Sequence, residues 1–589
     1  MKSLFGLCMV TVVVSAAFAE FDRTYRLPDT LKPVYYDIRV VYDREDPTGY
    51  HPGVVRVELE CLKSTDKVTL HAKNLTFEAA SICGVTGCHG DLEILELNTD
   101  TLTVTFQLPQ QLRVGERYYL TVAYQYRVRQ GGGPFSGGVF STADHYHLVT
   151  QFEEIDARQL FPNFDEPHLK ARFQMTATVL HQQHKDQTYP AISNMPVVES
   201  ISGDGFTTTK FERTPTMSSY LVALAIPEYG KIASVSTGET EPYTTVYYNP
   251  ETTGDTPQLS NLGLSDLVRR CVHYFNERFG LSDPLKKIDY VREMNPHLAM
   301  ENWGMIYGGA TPTTALHEVA HYWFGNAVTC RFWNDVWLNE GLTAYATAVG
   351  LDALQLGSSH DTLVALSVAA VNAYSSYEVP LSSELYYGTL LDLLTGGGLV
   401  YTKGAAVLRM FAEVVGGHEK FADILSTYLR RHRFSNADSY DFIDVYAGGN
   451  QRMREFAEDW IMQPGLPELT VDHDAARGEW VFQQHSPVAN ASHLRWNVPI
   501  FYRVNGGEFV RPPPMFPKEA TEYRMKAEPG KYYDFNPTFV APAQFERSGG
   551  SAASASAKLP QLEEYEDVAR RNPLGKLIPK LAGRHGMSD

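Results

Sequence analysis

The motif His317-Glu318-Val319-Ala320-His321, followed by W-L-N-E-G with Glu340 beyond eighteen intervening residues, constrains this chain more than any other stretch. Histidines four apart on a helix project from one face, one turn apart, and can both reach a single ion. The start of that helix is legible, with Thr311 as N-cap and Pro312 as first helical residue. The pattern predicts a helix through T-T-A-L-H-E-V-A-H-Y-W-F that stops at Gly325. A catalytic zinc takes three protein ligands and keeps one position open. Two histidines leave one ligand to find, and Glu340, in the helical segment L-N-E-G-L-T-A-Y-A, is the candidate. Glu318 sits beside the metal position rather than on it. There it can take a proton from the attacking water and pass it to a leaving amine. A buried helix with two core histidines is the structural alternative, and the downstream N-E-G acid argues against it.

At 589 residues the chain is too long for one hydrophobic core and predicts several domains. Residues 20–228 carry short runs at period two, among them V-V-R-V-E-L-E-C-L, K-V-T-L-H-A and T-L-T-V-T-F-Q-L, which predict an all-β domain. Helical spacing begins near Leu262 with L-S-D-L-V-R-R-C-V-H-Y-F-N-E-R-F and dominates a block taken as 229–465. That block includes K-G-A-A-V-L-R-M-F-A-E-V-V-G-G, Y-D-F-I-D-V-Y-A and M-R-E-F-A-E-D-W-I-M. Strands return over 466–546, with L-T-V-D, E-W-V-F-Q-Q and W-N-V-P-I-F-Y-R-V read as three of them. Residues 547–589 contain S-G-G-S-A-A-S-A-S-A and predict a flexible low-complexity tail.

Residues 1–19 read as a secretory signal peptide, with one Lys, a short apolar run and small residues at Ala17 and Ala19. No later apolar run is long enough to span a bilayer, so the expected location is secreted, extracellular or luminal. In such a compartment Cys83 and Cys88, flanking G-V-T-G, are the best disulfide candidates. Asn74-Leu75-Thr76 and Asn490-Ala491-Ser492 are glycosylation sequons. The formal charge of −18, without a Lys/Arg cluster, argues against a nucleic-acid partner.

The longer stretch H-E-V-A-H-Y-W-F-G-N-A-V-T-C-R-F-W-N-D-V-W-L-N-E-G resembles the signature of the aminopeptidase N family, gluzincins that include the leukotriene hydrolases. A-M-E-N-W-G at 299–304, T-Q-F-E-E-I-D-A-R with F-P-N-F-D-E-P at 150–167, A-I-S-N-M-P at 191–196, M-S-S-Y-L-V-A at 217–223 and Y-T-K-G-A-A-V-L-R-M at 401–410 resemble other family segments. The likeness covers roughly residues 24–505. It implies a multidomain α+β fold with a saddle-like N-terminal β-sheet domain, a thermolysin-like α/β catalytic domain and a small β-sandwich. It implies one zinc per chain and hydrolysis of the N-terminal residue of peptides. Tyr401 becomes the oxyanion donor, and Glu153 and Glu301 become anchors for the substrate ammonium. Gln151 and Met300 fall beside the first substrate side chain, and the Ala299–Asn302 backbone is expected to pair with substrate as an edge strand does.

Three departures from the family pattern bear on activity. Leu298 stands where the pattern has Gly, and fourteen residues separate Asn302 from His317 in a connector shorter than the family's. The large C-terminal helical domain of most members is not matched. An active enzyme is the first expectation. The alternative is a catalytically weak or inactive relative that binds peptides or a partner protein.

Overall fold

The computed structural model describes residues 26–85, 87–131, 137–142, 146–238, 241–251, 259–292, 299–383, 398–547, 557–559 and 561. The signal peptide, Leu298 and most of the C-terminal tail lie outside the described residues. The chain divides into two compact units. One comprises residues 1–272, 283–333 and 434–436, and the other 273–282, 334–433 and 437–589.

Alternating hydrophobicity builds the first unit. Strand Tyr50–Cys61 buries His51, Gly53, Val55, Val57, Leu59 and Cys61 and turns the residues between them outward. It lies inside an eight-stranded sheet, between Leu31–Asp43 and Arg117–Arg127. Leu31–Asp43 also pairs in parallel with Arg172–Leu180. A five-stranded sheet centres on Tyr146–Gln151, which delivers Gln151 at its C-terminal end. Strands Tyr243–Tyr248, Lys287–Arg292 and Met305–Gly308 run parallel in a four-stranded sheet. A disulfide joins Cys83 to Cys88 across the paired strands Thr76–Gly84 and Gly87–His89. Cys61, Cys271 and Cys330 are buried thiols, and both sequon asparagines, Asn74 and Asn490, are exposed.

Helix α1 (Asn261–Phe279) stops before Gly280, whose φ of 61° favours a residue without Cβ. Helix α2 (Pro312–Ala320) belongs to the first unit. The second unit holds α3 (Trp337–Ala353), α4 (Ser359–Tyr374), α5 (Leu399–Val415), α6 (His418–His432), α7 (Ser439–Ala447) and α8 (Gln451–Met462). Nearly all of α3 is buried, as expected of a helix apolar on every face. Caps fix several starts: Ser358 accepts from Asp361 N–H, Asp438 and Asp441 form a reciprocal box, and Asn450 accepts from Arg452 N–H. Strands Glu468–Asp474 and Glu479–His485 form as expected. The third expected strand does not. W-N-V-P-I-F-Y-R-V breaks into Val498–Pro499 and Tyr502–Val504, which pair in different sheets. Val498, Pro499, Ile500 and Phe501 are all buried in succession, so period two fails there. The fold is a β-rich N-terminal region followed by a helical α+β region. Among the described residues no helix is long and apolar enough to cross a membrane.

Candidate metal centre

Helix α2 opens on Thr311, whose Oγ1 accepts from Thr314 N–H at 3.1 Å, with Pro312 as first helical residue. It closes at Ala320, earlier than Gly325, and His321 is its C-cap. Beyond that point the N–H groups change partner. Tyr322 and Trp323 donate three residues back, to Val319 and Ala320, and Asn326, Ala327 and Val328 donate five residues back, to His321, Tyr322 and Trp323. The tightened turns interrupt the regular ladder before the chain reaches Gly325, and the widened ones follow it.

This ending aims the two histidines. Their Nε2 atoms face each other at 3.1 Å, the ring planes 85° apart, and both residues are buried. His321 Nδ1 lies 3.0 Å from the Phe324 carbonyl oxygen, which can only accept. Nδ1 therefore carries the proton and Nε2 presents its lone pair. Two nitrogens about 2.0–2.1 Å from a tetrahedral zinc stand roughly 3.3 Å apart. The observed spacing suits that geometry. Ligand atoms of Glu301, Glu318 and His321 also lie within 4.8 Å of one another, all on buried residues. Two carboxylates and two imidazoles so crowded away from water call for a cation. The donor set fits zinc.

Glu301 reaches this place through three sequence motifs. Met300 exchanges both main-chain hydrogen bonds with Tyr307, each 2.9 Å, so the A-M-E-N segment folds back on strand Met305–Gly308. The turn needs Gly304, at φ 87°, where a Cβ would stand 2.1 Å from the Asn194 carbonyl oxygen. Asn194, in A-I-S-N-M-P, donates from Nδ2 to Trp303 O at 2.9 Å and to Leu221 O, in M-S-S-Y-L-V-A, at 2.7 Å. Because Met300 is spent on Tyr307, the main chain of Ala299 and Glu301 turns to the opposite edge. There Glu301 O accepts from Asn326 Nδ2 at 2.9 Å. The Glu301 carbonyl on that edge is thus already engaged within the protein. Gln151 Nε2 lies 3.2 Å from Met300 Sδ, which brings those two predicted residues together. Glu153, half-buried, follows two residues after Gln151.

In the second unit Glu340 is buried on the first turn of α3, and Tyr401 is half-buried on the first turn of α5. These helices touch through glycines. A Cβ on Gly341 would lie 2.9 Å from Val400 O, and one on Gly404 would lie 2.9 Å from Gly341 Cα. Lys403 is buried beside this crossing and donates from Nζ to Gly465 O at 3.0 Å. Burial lowers its pKa to about 7.

Two family models match the chain in succession. The Peptidase M1 N-terminal domain matches residues 32–221 and the Peptidase family M1 domain matches residues 265–460. The chain belongs to the peptidase M1 family. Among its M1 relatives, aminopeptidase N of Bos taurus is 27% identical over 82% of this chain and 54% of its own length. Glutamyl aminopeptidase of Bos taurus is 28% identical over 84% and 53%. The thyrotropin-releasing hormone-degrading ectoenzyme of Homo sapiens is 29% identical over 76% and 43%. This M1 chain spans about half the length of the curated relatives it matches.

Asn194 and Asn326 in the first unit, and Gly341 and Gly404 in the second, shape the surroundings of these residues without having been singled out in the sequence. Each lies within a stretch already quoted, at N-E-G, Y-T-K-G, A-I-S-N-M-P and F-G-N. A glycine or asparagine inside a motif without an evident chemical role is the signal that points to such residues.

Proposed function

We propose that this chain is a zinc-dependent aminopeptidase that removes the N-terminal residue of peptides. The observation carrying the proposal is the 3.1 Å approach of two buried imidazole nitrogens, His317 Nε2 and His321 Nε2, in a site that also holds Glu301 and Glu318. His317, His321 and Glu340 hold one zinc ion. For Glu340 the support is its burial, its W-L-N-E-G context and the M1 relatives. Zinc, when bound, supplies Lewis acidity and makes water a nucleophile at neutral pH.

The chain's own residues do the rest. Glu318 takes the proton of the attacking water and delivers it to the leaving amine. The Tyr401 hydroxyl donates a hydrogen bond to the carbonyl oxygen as negative charge gathers there. Glu301 and Glu153 receive the substrate ammonium, which fixes the cut one residue from the N-terminus. Gln151 and Met300 border the first side chain, and Ala299 offers main-chain pairing. Secretion is part of the proposal, supported by the signal-like residues 1–19 and the Cys83–Cys88 disulfide.

The test is metal content beside hydrolysis for the native chain and its His317→Ala, Glu340→Ala and Glu318→Gln variants. The native chain and Glu318→Gln are expected to hold one zinc each, the other two to lose it, and the native chain alone to cleave aminoacyl amides. Zinc retained by Glu340→Ala would remove that residue from the ligand set. A zinc-loaded native chain that leaves every amide intact would overturn the enzyme in favour of an inactive peptide- or partner-binding relative.

A further inference from the structure

Asn326 is fully buried, and it bonds to two separate parts of the site. Its Nδ2 donates to Glu301 O at 2.9 Å across 25 residues of sequence. Its main-chain N–H donates to His321 O at 3.0 Å. Its own carbonyl accepts from the buried Lys170 Nζ at 3.0 Å, and Lys170 also reaches Ala327 O at 3.4 Å. An asparagine that only shaped the turn after α2 would spend its side chain inside residues 321–328. This one reaches out to A-M-E-N, and among the described residues Oδ1 accepts nothing. The side chain's contribution therefore rests on the single bond to Glu301.

His321 ends a helix, whereas Glu301 sits on a strand-like segment paired to Tyr307. Asn326 bonds to the main chain of both. An exopeptidase places its cut by the distance between the group that holds the substrate ammonium and the metal, and small errors in that distance are costly. We propose that Asn326 is a positioning residue that fixes the spacing between the Glu301 anchor and the His321 ligand, and so selects free N-termini over blocked ones. This rests on the aminopeptidase reading above.

The test uses the full chain, zinc-loaded, in the Glu318→Gln background so that ligands bind without turnover. Calorimetry measures alaninamide, leucinamide and argininamide, each beside its N-acetylated form. Asn326→Asp keeps the size of the side chain but replaces the donor with an oxygen facing Glu301 O, and Asn326→Ala removes the group. Both variants are expected to bind the free amides about tenfold more weakly. Their affinity for the acetylated forms is expected to stay unchanged, and zinc affinity by chelator competition to stay within about threefold. Use of both variants guards against misfolding of one. If free and acetylated amides weaken equally, or zinc is lost as well, Asn326 has a general structural role and the inference fails. If the parent prefers free amines and both variants keep that preference, the inference alone fails. If the parent binds neither class, the aminopeptidase reading fails with it.

Discussion

The Nε2 atoms of His317 and His321 stand 3.1 Å apart on rings set at 85°, and the Phe324 carbonyl accepts from Nδ1 of the second. The pair is therefore oriented by the turn that ends α2, not by helix spacing alone. That turn depends on contacts far away in sequence, including Lys170 to Asn326 and Asn326 to Glu301.

Glu318 is buried beside this pair, and the proposed ligand set of His317, His321 and Glu340 leaves it to act as the base. Glu318→Gln keeps the shape of the side chain and removes its basicity. The expected result is a kcat lower by about 10²–10⁴-fold, with zinc content unchanged. Steady-state kinetics and metal analysis on one preparation check this.

Gly341 and Gly404 let α3 and α5 meet backbone to backbone, and an added Cβ at either would lie 2.9 Å from main-chain atoms. Gly404→Ala must push the helices apart, because main chain cannot yield as a flexible side chain does. A loss of roughly 1–3 kcal/mol in urea unfolding is expected. Hydrolysis should fall further than stability alone explains, because Glu340 and Tyr401 ride on the displaced helices.

Lys403 gives a pH dependence of stability with a definite sign. Its folded-state pKa is lowered to about 7 by burial, below the ordinary lysine value. Between about pH 7 and that ordinary value the unfolded chain binds more protons, so stability rises with pH. Lys170, lowered to about 7 by the same cause, acts in the same direction. Urea unfolding at pH 7, 8 and 9 is expected to show increasing stability, with a shallower rise in Lys403→Met. An unchanged slope in that variant would contradict the assignment.

Much of the site was legible because its chemistry is written in local patterns. The i, i+4 histidines, the Thr311-Pro312 start and the N-E-G acid need no tertiary information to be noticed. The end of α2 at Ala320 was not legible, since the change of hydrogen-bond partners after it leaves no mark in hydrophobic spacing. The Met300–Tyr307 pairing and the Gly341–Gly404 crossing are likewise relations between segments, and each segment read alone shows only half of them. The strand read across W-N-V-P-I-F-Y-R-V failed for a simpler reason: four consecutive buried residues do not follow the alternation that the reading assumed.

The most direct measurement of the central claim is the ratio of kcat/KM for leucinamide, alaninamide and argininamide to that for their N-acetylated forms, on the zinc-loaded native chain. A zinc aminopeptidase with carboxylate anchors for the ammonium is expected to cleave at least one free-amine substrate and to leave every acetylated form essentially untouched. Equal cleavage of free and acetylated amides, or cleavage of neither, would contradict it.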